Sequence, residues 1–353
     1  MKFSRVQIFF LLIMFIGISN HVILLPHLLQ VAHRDAWLSA LIGYFVLILW
    51  SFLLVIIMKR SKNQKYSIWL KNRIGGPATS ILLVLLSIYI SIIALITFND
   101  FVNTVQIYFL QDTSIWVIGF VFLIVCIWSA GANLKTIVYS ALLLVPFVLI
   151  LGDFVAIATF DEKNYSFIFP ALLEGSEPLI RGVFIFLGAG ADIILVLLIQ
   201  DRIQKPLSYL SMFLLTSTLA ILVIGPTMGS IASFGAEVAS QMRFPAFEQW
   251  RLVTIGQHVS HLDFLAVFQM ISGTFIRLTL CIFLLWDMWF KPNKKVKWTI
   301  VTAITLVLIL MILPQNSDIW LQNFIQKYFY YASAIFGVAF TMFMLIVTKL
   351  KER

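Results

Sequence analysis

Uncharged apolar runs, each long enough to cross a hydrocarbon layer, recur along almost the whole chain. They occupy 6–32, 36–58, 78–98, 113–134, 206–232, 298–317 and 328–348, and 136–160, 181–200 and 264–290 add three more with one or two internal charges. A helix needs about 20 predominantly apolar residues to span a core of about 30 Å. The expected fold is therefore an all-α integral membrane protein with ten transmembrane helices. Only 12% of the residues are charged, about half the usual soluble share. With no polar stretch long enough for a soluble unit, residues 1–353 read as a single membrane domain. The first run is too long for a cleavable signal peptide and lacks a small-residue cleavage site.

A net charge of +9 would suit nucleic acid, but its distribution points elsewhere. With the N-terminus inside, the inner segments hold Lys2, Arg5, Lys59, Arg60, Lys62, Lys65, Lys71 and Arg73. They also hold Lys135, Arg202, Lys205, Lys291, Lys294, Lys295, Lys297, Lys349, Lys351 and Arg353. This is the positive-inside bias. It predicts a multi-pass protein with both termini in the cytoplasm, a lipid-membrane partner and no nucleic-acid ligand. Cys126 and Cys281 both fall inside apolar runs and read as packing residues, with neither a metal site nor a disulfide implied. No cofactor is expected.

Ten spans divide into two sets of five, about 6–160 and about 181–348, with the longest outside connection at about 233–262. The halves then have opposite topology, and inverted repeats of this kind place a transporter's site at mid-membrane between their first helices. Both first helices carry an interruption. GISNHVILLP (17–26) sets Gly17, Ser19, Asn20 and His21 inside the first run, and RGVFIFLGAGADIILVLLIQ (181–200) sets Gly188, Ala189, Gly190, Ala191 and Asp192 inside the sixth. Unwinding a helix in lipid leaves backbone groups unpaired unless a ligand, water or protein satisfies them. Freed helix ends can hold a carboxylate and freed carbonyls an ammonium, so such a site suits a zwitterion such as an amino acid. The plainer reading is that small residues mark close helix packing.

Four ionisable groups lie within the runs: Asp153, Asp192, Arg277 and Asp287. A charge at the bilayer centre costs at least about 2.5–3.5 kcal/mol on insertion scales, so each needs a partner or a wet cavity. In a five-plus-five plan spans one, three, six and eight surround the centre. Arg277 then has two candidate counter-charges, Asp192 or an anionic group of a ligand. Asp287 is expected to snorkel to the inner interface, and Asp153 has no evident partner. In span three Tyr89 and Ile93 share a helix face, Tyr89 offering a hydroxyl and Ile93 a wall, with packing as the plainer role.

Several segments resemble a known family. These are SRVQIFFLLIM leading through GISNHVILLP to DAWLSALIG, the FLGAGADI stretch, and FPAFEQWRLV in the outside connection. They are similar to the B subunits of bacterial spore germinant receptors, the GerAB-like proteins of the amino acid–polyamine–organocation superfamily, over essentially the full length. The resemblance implies a LeuT-like 5+5 inverted repeat with discontinuous helices 1 and 6. It also implies recognition of a nutrient germinant, partnership with A and C subunits, and residence in the spore inner membrane. The resemblance carries the family's ligand-facing positions onto Gly17 to His21, Tyr89, Ile93, Asp192 and Arg277. With the span-six interruption the expected ligand-binding residues are Gly17, Ile18, Ser19, Asn20, Tyr89, Ile93, Gly188, Ala189, Gly190, Asp192 and Arg277. The chain departs from the family in two places. It has Ser260, His261, Leu262 and Asp263 where Glu-Arg-apolar-Asp is usual, and it has an Arg inside span eight.

Three function classes are set against each other by these features. A receptor subunit and an active amino-acid permease would share fold and site. A membrane enzyme is disfavoured, since no HExxH, no GxSxG, no Cys–His pairing and no clustered carboxylates occur within the spans.

Overall fold

A computed structural model describes residues 2–62, 64–254, 262–289 and 318–351. The expected ninth span, 298–317, lies outside them, as do Ser260 and His261. Among the described residues eight helical runs are long and apolar enough to cross a membrane, and the chain is an integral membrane protein. Helices suit such runs because lipid offers the backbone no hydrogen-bond partner, so each N–H and C=O must be paired within its own segment.

The first run, Arg5–Arg60, covers 56 residues, about 84 Å if straight, far longer than a bilayer is thick. It folds back instead. Helices α1 (Arg5–Ile18) and α2 (Leu24–Ala32) flank a single wide turn, Ser19–Ile23, and α3 (Ala36–Arg60) returns after a 3₁₀ turn at His33–Asp35. His33 takes a left-handed φ of 42° there, and the Asp35 carboxylate accepts the Leu172 amide at 2.9 Å. Phe3, before α1, pairs with Ile203 through Phe3 N–H to Arg202 O at 2.7 Å and Gln204 N–H to Phe3 O at 2.9 Å. Ser61, after α3, donates to Gln200 Oε1 at 2.9 Å. Both ends of the run thus meet residues 200–204 at one face of the protein, called here the N-terminal face.

The remaining elements are α4 (Tyr66–Ile74), α5 (Gly76–Tyr108), α6 (Ile115–Ala132), α7 (Leu134–Ala158), α8 (Ser176–Gly190), a 3₁₀ run Ala191–Arg202, and α9 (Tyr209–Phe234). They continue through α10 (Ala236–Gln241), α11 (Pro245–Arg251), α12 (Phe264–Asp287), α13 (Asp318–Phe324), a wide turn Ile325–Phe329 and α14 (Tyr330–Val347). Capping follows local chemistry. Asn133 accepts from Thr136 N–H and Ser208 from Ser211 N–H, pairing amides left open at the starts of α7 and α9.

Two groups of helices meet in the core. In one, α12 packs against α1, α5, α6 and α7; in the other, α8 packs against α2, α3 and α14. The runs through α8 and α12 are the most enclosed of the eight, and they hold the buried Asp192, Arg277 and Asp287. Small residues allow the close approach around α8. A side-chain carbon at Gly188 would overlap the Tyr330 backbone carbonyl, one at Gly182 would overlap Ser39 and Ala32, and one at Gly43 would strike the Phe186 ring. Trp50 lies over Gly337 and donates from Nε1 to Thr341 Oγ1 at 2.8 Å, tying α3 to α14.

The two interruptions fall where the sequence places them, but neither unwinds. The first is the wide-turn segment Ser19–Ile23, and the second is a switch at Gly190 from α to 3₁₀ winding. A changed hydrogen-bond offset keeps the backbone paired, which an extended stretch in an apolar interior would not.

Gly188→Ala should lower thermal stability of the detergent-solubilised protein by at least about 1–3 kcal/mol, because backbone cannot yield as a side-chain tip does. Gly225→Ala, where an added carbon meets nothing within 4 Å, should be neutral or slightly stabilising. Equal melting shifts for the two variants would contradict this packing.

Candidate functional site

The strongest polar constellation is built around Arg277, near the middle of α12 and 3% exposed. Its Nη2 donates to Asp192 Oδ2 at 2.6 Å, Nη1 to the Phe15 carbonyl at 2.7 Å, and Nε to Thr97 Oγ1 at 2.9 Å. Asp192 Oδ1 accepts the Tyr89 hydroxyl at 2.8 Å, and the guanidinium lies 5.1 Å from the centre of the Phe15 ring. A guanidinium holds its proton under all ordinary conditions, so an apolar interior must supply a counter-charge and acceptors. Here α12, α1, α5 and the 3₁₀ run each supply a piece. The partner of Arg277 in this state is Asp192, one of the two alternatives raised by the sequence.

The other anticipated positions lie around this cluster in different ways. Ile93 is buried one turn from Tyr89 on α5. Gly188 and Gly190 face the Tyr330 backbone and the Leu47 side chain, and Ala189 is buried beside them. Here the small residues serve close packing around α8, the plainer of the two readings. The backbone of Ile18 ends α1, while Ser19 and Asn20 belong to the wide turn. Gly17 lies at the end of α1, its carbonyl 2.8 Å from His21 Nδ1. Asp287, expected from sequence to snorkel to the inner interface, is buried and has an ion-pair partner. Arg202 Nη2 reaches it at 3.1 Å and Arg202 Nε reaches Asp201 at 3.1 Å, so a partner on the neighbouring run holds it.

The chain matches the family model described as spore germination protein over residues 2–319. It is 33% identical to spore germination protein XB of Bacillus anthracis over 350 residues, covering 98% of each chain. It is also 20% identical to spore germination protein KB of Bacillus subtilis (strain 168) over 291 residues, 80% of this chain and 76% of that one. The chain belongs to the spore germination protein family.

This spore germination protein also contains a cavity of about 490 Å³ between α1, α7, α9, α11 and α12, bordered by Gly17, His21, Asp153, Lys163, Gln249 and Gln269. Most of its other walls are aliphatic or aromatic. Asp153, which had no evident partner in the sequence, faces this space. Lys163 follows α7 and donates to the Ala156 carbonyl at 3.0 Å. Partial burial pushes its ammonium below the usual lysine range. Gln269 Nε2 donates to Val148 O at 2.8 Å, and Gln249 Nε2 to Pro226 O at 3.1 Å and Ser230 Oγ at 2.9 Å. The cavity and the Arg277 cluster lie on different sides of α1, with Gly17 on the cavity side and the Phe15 carbonyl on the cluster side.

A second ion cluster was not anticipated. Arg243, between α10 and α11, bonds Asp100 Oδ1 at 2.6 Å and Asp318 Oδ2 at 2.9 Å, so it joins the far end of α5 to the start of α13. Burial alone would lower the Arg243 pKa, but the two carboxylates outweigh it and raise the value above the usual arginine range. The signal in the sequence was Asp100, a lone acid in the second half of a 33-residue apolar helix, with Arg243 directly before the FPAFEQW stretch.

Removing either member of the Asp192–Arg277 pair leaves a buried charge uncompensated, at roughly 3–5 kcal/mol. Arg277→Met and Asp192→Leu should each accumulate poorly in the membrane, and the double variant should recover most of the wild-type level. A double variant no better than either single would show that the pair does not behave as a unit.

Proposed function

We propose that this spore germination protein is the nutrient-sensing membrane subunit of a spore germination receptor. It binds a small polar molecule such as an amino acid at mid-membrane and signals to partner subunits of the A and C type. In this reading the ten spans form two inverted sets of five, 6–160 and 181–348, both termini are cytoplasmic, and the protein sits in the spore inner membrane. The germinant acts where the winding changes of the first and sixth spans, Gly17 to Asn20 and Gly188 to Asp192, meet Arg277, with Tyr89 and Ile93 beside them.

The observation that carries the reading is the convergence of four segments on one guanidinium. Arg277 holds the α1 carbonyl of Phe15, Thr97 of α5 and Asp192 of the 3₁₀ run at once. A ligand carboxylate competing for this fork exchanges with Asp192 and so alters the contacts of every segment. On the other side of α1, next to Gly17, the cavity supplies space and polar groups for a small molecule. The fork geometry matters, because three acceptors on different elements cannot be held by the point charge of a lysine in the same way.

The alternative is an active amino-acid permease with the same fold. Spores lacking this chain should lose their response to one nutrient class and keep the others. Arg277→Lys should accumulate near normally and need at least about 10-fold more germinant, a loss of about 1.4 kcal/mol in recognition. An unchanged dose response would remove Arg277 from the site. Robust substrate uptake by the purified chain alone in proteoliposomes would favour the permease.

A further inference from the structure

The run Ala191–Arg202 is 3₁₀ over 12 residues. Such runs rarely exceed three or four residues, because the i→i+3 bonds are poorer than those of an α-helix, and a long one inside a span marks strain or a hinge. Every residue from Ala191 to Gln200 is buried, so solvent does not account for the choice of winding. The run is instead held at both ends.

At its upper end Asp192 is fixed by Arg277 of α12 and by Tyr89 of α5. At its lower end Gln200 accepts from Ser61 Oγ at 2.9 Å and donates to the Gln64 carbonyl at 3.0 Å. Arg202 pairs with Asp287, and Phe3 brackets Ile203 with its two backbone bonds.

The two ion pairs form a reciprocal ladder between this run and α12. Asp192 and Arg202 are ten residues apart on one, and Arg277 and Asp287 are ten apart on the other with the signs reversed. Ten residues of α-helix rise about 15 Å, whereas ten of 3₁₀ rise about 20 Å. The 3₁₀ rail is therefore about 5 Å longer than the α rail it is pinned to, and rewinding it as α would bring the two into step.

We infer that residues 191–202 are a length switch. They form a stretched 3₁₀ rod in this state and shorten by about 6 Å on rewinding as an α-helix. Rearrangement at Asp192 is thereby coupled mechanically to the N-terminal face, where the rod ends against Phe3, Ser61 and Gln64. Release of either anchor lets the rod recoil. The output is axial movement of one end of the run against α12, carrying Phe3 with it when the lower end moves. The inference concerns the element itself and stands whatever molecule reaches Arg277, so its failure leaves the proposed function untouched.

The test is the end-to-end length of the span. Nitroxide labels at Glu177→Cys and Gln204→Cys, both exposed, bracket α8 and the 3₁₀ run in the full-length protein in lipid nanodiscs. The native cysteines, Cys126 and Cys281, are buried, and a label-free background lacking them serves as the control. Pulsed electron resonance should give one long separation for the otherwise unaltered chain. Asp192→Asn, which releases the upper anchor, and the double variant Gln200→Leu, Asp287→Asn, which removes the side-chain ties of the lower end, should each add a population about 6 Å shorter. The two variants free opposite ends, so either one that folds decides the matter. An unaltered separation already matching a continuous α-helix would overturn the inference. So would a folded variant with the parental distance.

Discussion

An arginine that cannot lose its proton sits in an interior that cannot solvate it, and the rest of the core is arranged around that constraint. Arg277 needs acceptors in several directions, and no single helix can provide them. One comes from a backbone carbonyl of α1, one from a threonine of α5 and one from an aspartate at the start of the 3₁₀ run. Each acceptor ties its segment to α12, so one buried charge fixes the register of four elements. The Phe15 carbonyl, in the last turn of α1, has a second lone pair to offer and accepts from Arg277 Nη1 at 2.7 Å.

The packing around α8 obeys a different rule. Lipid tails are as apolar as leucine, so helices gain little by hiding apolar surface from them and associate through close van der Waals contact instead. Gly43, Gly182, Gly188 and Gly337 create that closeness, each admitting a neighbour that a side chain would exclude. The two buried clusters add directional ties at different depths. Arg277 pins the middle, while Arg243 draws α5 and α13 together at the far face. Beside α1 the bundle opens into the cavity that Asp153 borders.

That the chain is a helical membrane protein was legible in the sequence because apolarity over about 20 residues is a property of each segment alone. The placement of both winding changes was legible for the same reason, since Gly17 to Asn20 and Gly188 to Asp192 stand out against their own runs. What those changes become was not, because choosing between an unwound stretch and a shifted hydrogen-bond pattern depends on what the surrounding helices offer. Gly188 illustrates this: nothing local to it announces that the Tyr330 backbone fills its place. Asp192 and Arg277 were visible as charges, but their pairing is tertiary. The reciprocal ten-residue spacing of Asp192, Arg202, Arg277 and Asp287 was readable and would have given Asp287 its partner. Arg243 was hidden by its setting in the connection between α10 and α11, where a basic residue ordinarily faces water.

Family membership makes this a membrane protein of spore germination, and the proposed centre of that role is the Arg277 cluster. The central claim is that the cluster is sealed at rest and yields when a nutrient competes for the guanidinium. Its most direct measurement is the reactivity of a cysteine placed at Thr97, a buried position in contact with Arg277. In spore membranes carrying Thr97→Cys, a charged methanethiosulfonate reagent should react slowly without nutrient and much faster in the presence of the cognate germinant. The native buried cysteines should remain inert in both conditions. A modification rate that is the same with and without germinant, in a variant that still responds to it, would contradict the account.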